Sequence, residues 1–459
     1  MPEHYDAIII GAGQAGPPLA ERLGRAGYRT AIIERHLLGG TCVNVGCIPT
    51  KTLVGSARIA WAARQAAEFG VVIDGPVGVD MQRVKARKDE VAGASNAGVT
   101  NWIDGMKNVT LIRGHARFTG PRALTVNDQT LTADRVFIDV GARARVPDFP
   151  GIDSIDYLTN SSMMEVDFLP EHLLIVGGSY IGLEFAQMYR RFGAEVTVVE
   201  MQDRLIARED ADVSNAVREI LEGEGVNIRL AAECLAFEPG PMGVRMNIDC
   251  AIDSTPLDGS HVLLAVGRVP STHDLGLDLA GIETDERGFI TVDDELRTTA
   301  DGVWALGEVN GQGAFTHTSY NDFEIVAANL LDEDERLVSD RIPCYGLFID
   351  PPLGRVGMTE SQVRASGRRA LIGTRPMSRV GRAREFGDTR GFMKILVDAD
   401  TEEILGASLL GLSGDEAVHA LLDVMYAGMP YTVISRAVHI HPTVSELIPT
   451  VLQGLTQLE

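Results

Sequence analysis

The chain has 459 residues, of which 45% are hydrophobic and 23% charged, a composition that is typical of an ordinary globular protein with about three domains. Its 41 Lys and Arg against 64 Asp and Glu give a formal net charge of −23, which disfavours nucleic acid and anionic membrane surfaces as partners. The N-terminus has no basic region, and its first apolar run ends at Gly11. No apolar run reaches the length that a bilayer requires. We therefore expect a cytoplasmic protein without a membrane or nucleic-acid partner.

The first forty residues follow the pattern of a dinucleotide-binding unit. Apolar strands are predicted at 5–10 and 30–33, with a helix at 19–26 between them. The turn after the first strand reads G-x-G-x-x-G, with its glycines at Gly11, Gly13 and Gly16. Glu34 ends the second strand, where an acidic side chain can bind the ribose hydroxyls of a dinucleotide. The pattern predicts one bound dinucleotide here.

The same pattern returns 166 residues later. Strands are predicted at 173–176 and 196–200, with a helix at 183–192, and the turn contains Gly177 and Gly182. Ser179 replaces the middle glycine. Glu200 ends the second strand and favours a free ribose 2′-hydroxyl, so NADH is predicted over NADPH. Arg204 and Arg208 follow closely and leave NADPH as an alternative.

Two further strand-turn segments, 137–141 and 263–268, carry Gly141 and Gly267, as expected where the chain crosses between domains. The domains are therefore predicted to be interleaved rather than in tandem. After residue 343 the nucleotide patterns stop. Strands at 392–397 and 404–410 and helices at 416–427 and 445–455 predict an α+β domain.

Five cysteines stand at positions 42, 47, 234, 250 and 344, too few and too scattered for a secreted disulfide framework. Cys42 and Cys47 bracket four residues. In an ideal helix their Cα atoms would be about 8 to 9 Å apart, beyond the roughly 7 Å limit for a disulfide, so pairing needs a distorted helix. Gly46 and Pro49 allow that distortion. Redox chemistry is predicted for this pair, with buried structural thiols and a metal site as alternatives, and no resident metal is expected because no further ligand cluster lies nearby.

The segment GGTCVNVGCIPTK at 39–51 resembles the redox-active disulfide motif of the class I pyridine nucleotide–disulfide oxidoreductases, which include dihydrolipoamide dehydrogenase, glutathione reductase and mercuric reductase. The segments AVGRVP at 265–270, 299–308 and HPTVSE at 441–446 resemble later motifs of the family, in the family's order. The resemblance therefore spans the whole chain.

The resemblance implies an α/β fold with two Rossmann-like domains for FAD and NAD(P) and a C-terminal α+β dimerisation domain. The implied bounds are 1–147 and 267–338 for the two parts of the FAD domain, 148–266 for the NAD(P) domain and 339–459 for the dimerisation domain. It also implies a homodimer in which a hydride from NADH passes through FAD to a Cys42–Cys47 disulfide.

The resemblance also assigns roles. Cys47 is the thiol that faces the flavin, and Cys42 is the thiol that meets the substrate. His441 is the base, oriented by Glu446 and supplied by the partner subunit. The other positions implied near the cofactors are Lys51, with its partner Glu184 and the aromatic gate Tyr180, together with Gly40, Thr41, Ile181, Gly307, Glu308 and Thr316.

Two departures from the family keep the electron acceptor open as a disulfide, an oxidant or a metal ion. Glu308 stands where the family usually has Asp in its flavin-ribityl contact, and His317 stands where glutathione and lipoamide enzymes commonly have Pro. A mercuric reductase remains an alternative, although its C-terminal cysteine pair is missing, since the last cysteine is Cys344. The sequence looks more like the branch with reactive-chlorine-resistance reductases. An NADH oxidase or diaphorase with auxiliary cysteines and a nucleotide-binding sensor without turnover are further alternatives.

Overall fold

The computed structural model describes residues 2–233, 235–248 and 256–459, so Cys234 and Cys250 lie outside the described residues. The strands are β1 (Glu3–Ile10), β2 (Thr30–Glu34), β3 (Val109–Arg113), β4 (Ala116–Gly120), β5 (Ala123–Val126), β6 (Gln129–Ile138), β7 (Ala142–Ala144), β8 (His172–Val176), β9 (Glu195–Val199), β10 (Asn227–Arg229), β11 (Leu235–Gly240), β12 (Gly243–Ile248), β13 (Leu257–Gly259), β14 (His261–Leu264), β15 (Arg268–Pro270), β16 (Val303–Ala305), β17 (Cys344–Leu347), β18 (Leu353–Gly357), β19 (Ala370–Pro376), β20 (Phe392–Asp398), β21 (Ile404–Leu410) and β22 (Thr456–Gln457).

The α-helices are α1 (Gly16–Arg25), α2 (Gly40–Asn44), α3 (Cys47–Gln65), α4 (Met81–Asp104), α5 (Tyr180–Phe192), α6 (Ala211–Gly223), α7 (Leu277–Ala280), α8 (Thr316–Ala327), α9 (Glu360–Ser366), α10 (Gly381–Glu385), α11 (Gly414–Ala417), α12 (His419–Tyr426), α13 (Thr432–Ser435) and α14 (Ile448–Gln453).

The first sheet has the strand order β3-β2-β1-β6-β5-β4, and β16 also pairs with β6. Strands β1, β2, β3, β6 and β16 run parallel. Residues 7–10 of β1 are all apolar and buried, as expected for a parallel strand with both faces covered. All strands of the second sheet lie between β6 and β16 in the sequence. The second nucleotide unit is therefore an insertion within the first.

The second sheet is wholly parallel, in the order β10-β9-β8-β14, and every residue of β8 is buried. Helix α5 follows β8 and presents a buried apolar face that includes Leu183 and Phe185. It begins at Tyr180, three residues before the predicted start, directly after the extended residue Ser179. Helix α3 packs against α5, so the helix that carries Cys47 touches the second unit.

The C-terminal domain is a six-stranded sheet, β17-β18-β21-β20-β19-β22, with antiparallel pairing throughout. The helix predicted at 416–427 is present as α11 and α12, which are separated only by Val418 in helical conformation. The helix predicted at 445–455 is a 3-10 turn at Ser445–Leu447 followed by the shorter α14. Pro449 lies in the first turn of α14, where proline starts a helix well.

Buried ion pairs fix the second unit against the C-terminal domain. Arg191 on α5 lies 2.7 Å from Glu224 and 2.6 Å from Asp350. Lys394 on β20 lies 3.0 Å from Asp210, which precedes α6. Losing one partner of such a pair leaves an uncompensated buried charge, which typically costs about 3 to 5 kcal/mol. The two units that border the cavity described next are therefore held in one arrangement.

Candidate functional site

A cavity of about 2000 Å³ is lined by residues of both nucleotide units and of the C-terminal domain. The predicted site residues in its lining are Gly11, Gly13, Glu34, Gly40, Thr41, Cys42, Cys47, Lys51, Gly141, Tyr180, Ile181, Glu184, Gly267, Glu308 and Thr316. Those outside its lining are Gly16, Gly177, Gly182, Glu200, Gly307, His441 and Glu446. The cavity therefore brings together the first glycine turn, the cysteine pair and the first turn of α5.

The first glycine turn packs closely against the residue that follows β6. Gly11 has φ +104°, and a Cβ there would lie 2.2 Å from the carbonyl oxygen of Asp139. A Cβ on Gly13 would lie 2.9 Å from Oδ2 of Asp139. The carboxylate of Glu34 accepts the N–H of Ala12 at 2.9 Å. The N–H of Gly16 is taken by Asp139, and the next two residues of α1 are prolines without an N–H, so the N–H groups of the turn itself and the positive end of the helix dipole are what would attract a dinucleotide pyrophosphate.

The second turn has the same construction. Gly177 has φ +111°, and a Cβ there would lie 2.4 Å from the carbonyl oxygen of Ala265. The carboxylate of Glu200 accepts the N–H of Gly178 at 2.6 Å, as Glu34 does in the first turn. Each unit thus has a strand-end carboxylate beside its glycine turn, the position from which ribose hydroxyls are bound.

The two cysteines lie on either side of a break in the helix. Helix α2 ends at Asn44, and α3 begins at Cys47. Between them Gly46 has φ −128° and ψ −119°, far from helical values. Both Cys42 and Cys47 are free thiols in the structure. The helix break that a disulfide between these residues requires is therefore present, with one cysteine on each side of it.

The environment assigns the negative charge to Cys47. A hydrogen bond from the Cys42 thiol, with further contributions from Thr316 and the Lys51 ammonium, lowers the pKa of Cys47 to about 6. The same hydrogen bond and burial raise the pKa of Cys42. The Sγ of Cys47 lies 3.4 Å from Oγ1 of Thr316, the first residue of α8. At pH 7 the pair therefore holds one thiolate and one thiol.

Lys51 and Glu184 form an ion pair across the cavity wall. Nζ of Lys51 lies 2.7 Å from Oε2 of Glu184, whose side chain is buried. The other oxygen of Glu184 accepts the backbone N–H of Phe348 at 3.1 Å, and the ammonium of Lys51 lies 4.6 Å from the Phe348 ring. Helices α3 and α5 and the C-terminal domain thus meet at one buried carboxylate.

An aromatic cluster stands beside this ion pair. The ring of Tyr180 lies edge-on to Tyr345 at 5.6 Å and to Phe315 at 6.4 Å. The hydroxyl of Tyr345 donates to Glu209 at 2.5 Å, and that of Tyr180 donates to the same oxygen at 3.4 Å.

His317 stacks on Phe315, and its Nε2 lies 2.7 Å from the carbonyl oxygen of Cys344. The chain's own side chains thus close this end of the cavity around Tyr180.

Glu308, expected to reach the ribityl group, has a protein partner. Its Oε1 lies 2.6 Å from Nε of Arg268, and both side chains are largely buried. The preceding residue, Gly307, donates its N–H to the buried Asp322 at 2.8 Å. Glu308 still lines the cavity, so a ribityl contact there would have to share the carboxylate with Arg268.

His441 and Glu446 form a pair on the surface of the C-terminal domain. Nδ1 of His441 lies 2.8 Å from Oε2 and 3.1 Å from Oε1 of Glu446. The histidine side chain is 79% exposed. The carboxylate therefore orients the ring, but within one chain the pair does not line the cavity that contains the cysteines.

Three residues that shape the site were missed in the sequence. Asp139 at the end of β6 had a signal, because an acidic residue at the carboxyl end of a buried parallel strand borders the ligand crevice. Tyr345 and Glu209 carry no such signal, since they are distant in sequence and meet only through the packing of two domains.

Across residues 2–233, 235–248 and 256–459 no cluster of three His, Cys, Asp or Glu side chains could hold a metal ion. In the same part of the chain, the helices are too short or too polar to span a bilayer.

The fold and the site define a flavoprotein disulfide reductase, and sequence comparison identifies the family. The chain belongs to the pyridine nucleotide-disulphide oxidoreductases, because the model of that family matches residues 5–322 and the model of the family's dimerisation domain matches residues 344–452. The resemblance read from the motifs and the predicted fold class are confirmed. The protein is thus an NAD(P)H-dependent oxidoreductase of a family that uses FAD and pyridine nucleotides.

The chain is similar over nearly its whole length to known members of the family. It is 39% identical over 452 residues to the probable pyridine nucleotide-disulfide oxidoreductase RclA of Escherichia coli K12, covering 96% of this chain and 97% of the relative. It is 31% identical to a mercuric reductase of Streptomyces lividans, covering 98% and 96% of the two chains. A solved structure, the Cu(II) complex of the HOCl-induced flavoprotein disulfide reductase RclA from Escherichia coli, superimposes with a TM-score of 0.90 at 37% identity and covers 99% of each chain.

Proposed function

We propose that this protein is an FAD-dependent, NADH-preferring disulfide reductase that works as a homodimer and passes two electrons through Cys42 and Cys47 to an oxidant or a metal ion. The observation that carries the proposal is the position of Cys42 and Cys47, on either side of a helix break in the cavity that both nucleotide units line. Adding a hydride to a disulfide yields one thiol and one thiolate. Cys42 with a raised pKa and Cys47 with a pKa of about 6 are suited to these two products.

The residues of the chain fit FAD, which when bound relays two electrons between the nicotinamide and the disulfide. The turn that contains Gly11 and Gly13 and the positive end of the α1 dipole would hold the pyrophosphate, with Glu34 at the ribose. Lys51 and the N-terminus of α8 at Thr316 would supply positive charge beside the flavin. In keeping with these contacts, we propose the FAD, NAD(P) and dimerisation domain bounds expected from the sequence.

The proposed preference for NADH rests on Glu200. Its carboxylate stands beside the second turn, 2.6 Å from the N–H of Gly178, and would repel a ribose 2′-phosphate. The dimer is proposed because His441, the expected general base, is already oriented by Glu446 but faces away from the cysteines of its own chain. A second copy would bring this pair to the cysteines, where His441 takes the proton that Cys42 releases.

The acceptor class is carried over from a relative. A solved relative is a Cu(II) complex of an HOCl-induced reductase, and His317 departs from the proline of glutathione and lipoamide enzymes. Returning Cys42 and Cys47 to the disulfide releases two electrons and one proton. Two Cu(II) ions would accept these electrons and leave as Cu(I), so Cu(II) is the acceptor that we would assay first, beside small disulfides.

An anaerobic titration with NADH and, separately, NADPH tests the proposal. We expect a long-wavelength thiolate-to-flavin absorbance band at two electrons per subunit. The band should appear at a lower concentration of NADH than of NADPH. In Cys47→Ala the band and Cu(II) turnover should be lost. Cys344→Ala, which removes a different half-buried cysteine, is the control and should keep both. Flavin that bleaches without the band, or full turnover in Cys47→Ala, would instead identify an oxidase in which the cysteines are auxiliary.

A further inference from the structure

Asp139 is a buried carboxyl group that the reaction outlined above does not use. It follows β6 at the carboxyl end of the strand, directly beneath the first glycine turn. Its Oδ2 accepts the N–H of Gly16, the first residue of α1, at 2.8 Å. Its oxygens also lie 2.9 Å from the position of a Cβ on Gly13 and 3.1 Å from that of a Cβ on Gly307. One side chain therefore touches three backbone segments around the expected pyrophosphate site.

The surroundings of Asp139 disfavour a negative charge. Burial is the first cause, and the carboxylates of Glu34 on β2 and Asp322 on α8 add repulsion, so the pKa of Asp139 is raised to about 8. The N–H groups of Gly16 and Gly13 act in the opposite direction. Asp322 is itself paired with Arg341, which limits its contribution.

A pyrophosphate at the start of α1 would bring further negative charge to the same place. The first N–H of α1 is bonded to Asp139 and the next two residues are prolines, so the helix dipole and the N–H groups of the turn are what would attract the pyrophosphate. An ionised Asp139 would oppose this binding, because the carboxylate lies against the glycine turn and lines the same cavity, where its charge would repel that of the phosphate. A neutral carboxyl would keep the bond from Gly16 on one oxygen and carry a proton on the other.

We propose that Asp139 sets how tightly this chain retains FAD, holding the cofactor as a neutral carboxyl and weakening its retention once ionised. The inference rests on the proposed use of FAD. Binding the cofactor then takes up a proton wherever the free protein has Asp139 ionised. With a pKa of about 8 in the free protein and a higher one in the complex, the dissociation constant for FAD should be about tenfold higher at pH 9 than at pH 7.

The experiment compares the purified holoprotein with Asp139→Asn, in which the amide oxygen can still accept the N–H of Gly16. Each protein is diluted in steps at pH 7, 8 and 9, and free FAD is measured by its fluorescence. We expect about tenfold weaker retention at pH 9 than at pH 7 for the natural protein and a flat profile for Asp139→Asn.

Asp398→Asn is the matched control, because Asp398 is a buried carboxylate held by the backbone N–H groups of Asp400 and Thr401 in the C-terminal domain. It should retain the natural pH dependence.

The outcomes separate the two proposals. A flat profile in the natural protein, or an equal slope in Asp139→Asn, overturns the role of Asp139 and leaves the proposed reductase intact. A protein purified without flavin that does not bind added FAD contradicts the proposed function itself. Asp139→Ser, a second neutral variant with the same expected flat profile, replaces Asp139→Asn if the latter does not fold.

Discussion

The ammonium of Lys51 lies 2.7 Å from the carboxylate of Glu184 and so joins the helix that begins at Cys47 to the helix that begins at Tyr180. The pair lies where the cysteine pair and the first turn of α5 line the same cavity. The charge on Lys51 also lowers the pKa of the Cys47 thiol, while Glu184 raises it. The two charges therefore act on the thiolate in opposite directions, and the effect of Lys51 is the larger.

Removing the ammonium should make the Cys47 thiolate harder to form. In Lys51→Met we expect the pKa of Cys47 to rise by roughly one unit, because an opposite charge nearby favours the ionised form. The measurement is the pH dependence of Cys47 alkylation in the reduced protein, located by mass spectrometry. Lys85→Met, which removes an ion pair on α4, is the control. An unchanged midpoint in Lys51→Met would mean that the hydrogen bonds alone stabilise the thiolate.

The Cys42 thiol should be the stronger support of the Cys47 thiolate, since its hydrogen bond is the largest cause of the lowered pKa. In Cys42→Ala we expect the alkylation midpoint of Cys47 to move from about 6 towards the ordinary thiol value. Reactivity at pH 6.5 should fall accordingly, because only the thiolate reacts. A midpoint that stays near 6 in Cys42→Ala contradicts this assignment, and Cys344→Ala should leave it unchanged.

The sequence predicts the local parts of the site well and the long-range parts poorly. The glycine turns and the helix break at Gly46 follow from residues close in the chain, and each is where the pattern indicates. The contact of Glu209 with Tyr345 joins residues 136 positions apart and depends on how the second unit packs against the C-terminal domain. No periodicity or spacing encodes that packing, so neither residue could be chosen from the sequence.

Glu308 illustrates the same limit. Its position after Gly307 predicts a contact with the cofactor, and in the structure it lines the cavity. Its ion pair with Arg268 depends on the crossing segment that follows the second unit, which returns to β7 through the short strand β15. The sequence therefore indicates which residues border the ligand, but the folded chain decides which of them already have a partner.

Tyr345 should affect NADH binding through the predicted gate Tyr180. In Tyr345→Phe the ring can keep its stacking on Phe315, but Glu209 loses its hydrogen bond at 2.5 Å and becomes free to bind Tyr180 more closely. Holding the gate more firmly should raise KM for NADH about three- to tenfold with kcat little changed, since a hydrogen bond contributes about 0.5 to 1.5 kcal/mol.

Steady-state kinetics with NADH measures this effect. The matched test is the double variant Tyr180→Phe with Tyr345→Phe, in which Glu209 has no gate hydroxyl to bind, so the rise in KM should disappear. A rise of equal size in the double variant would show that Tyr345 acts on the nicotinamide pocket without Tyr180.

The outward-facing His441 predicts that each site is built from two subunits. The test co-expresses Cys47→Ala and His441→Ala chains with different tags. If each site is built from two subunits, the mixed dimer contains one site with both changes and one site with neither. If His441 acts across the dimer, the purified mixed dimer should have about half the activity of the natural dimer, although each parent dimer is strongly impaired. If His441 serves the cysteines of its own chain, both sites of the mixed dimer are damaged and it should be as impaired as the parents. The 79% exposure of His441 in the single chain and its absence from the cavity lining favour the first result.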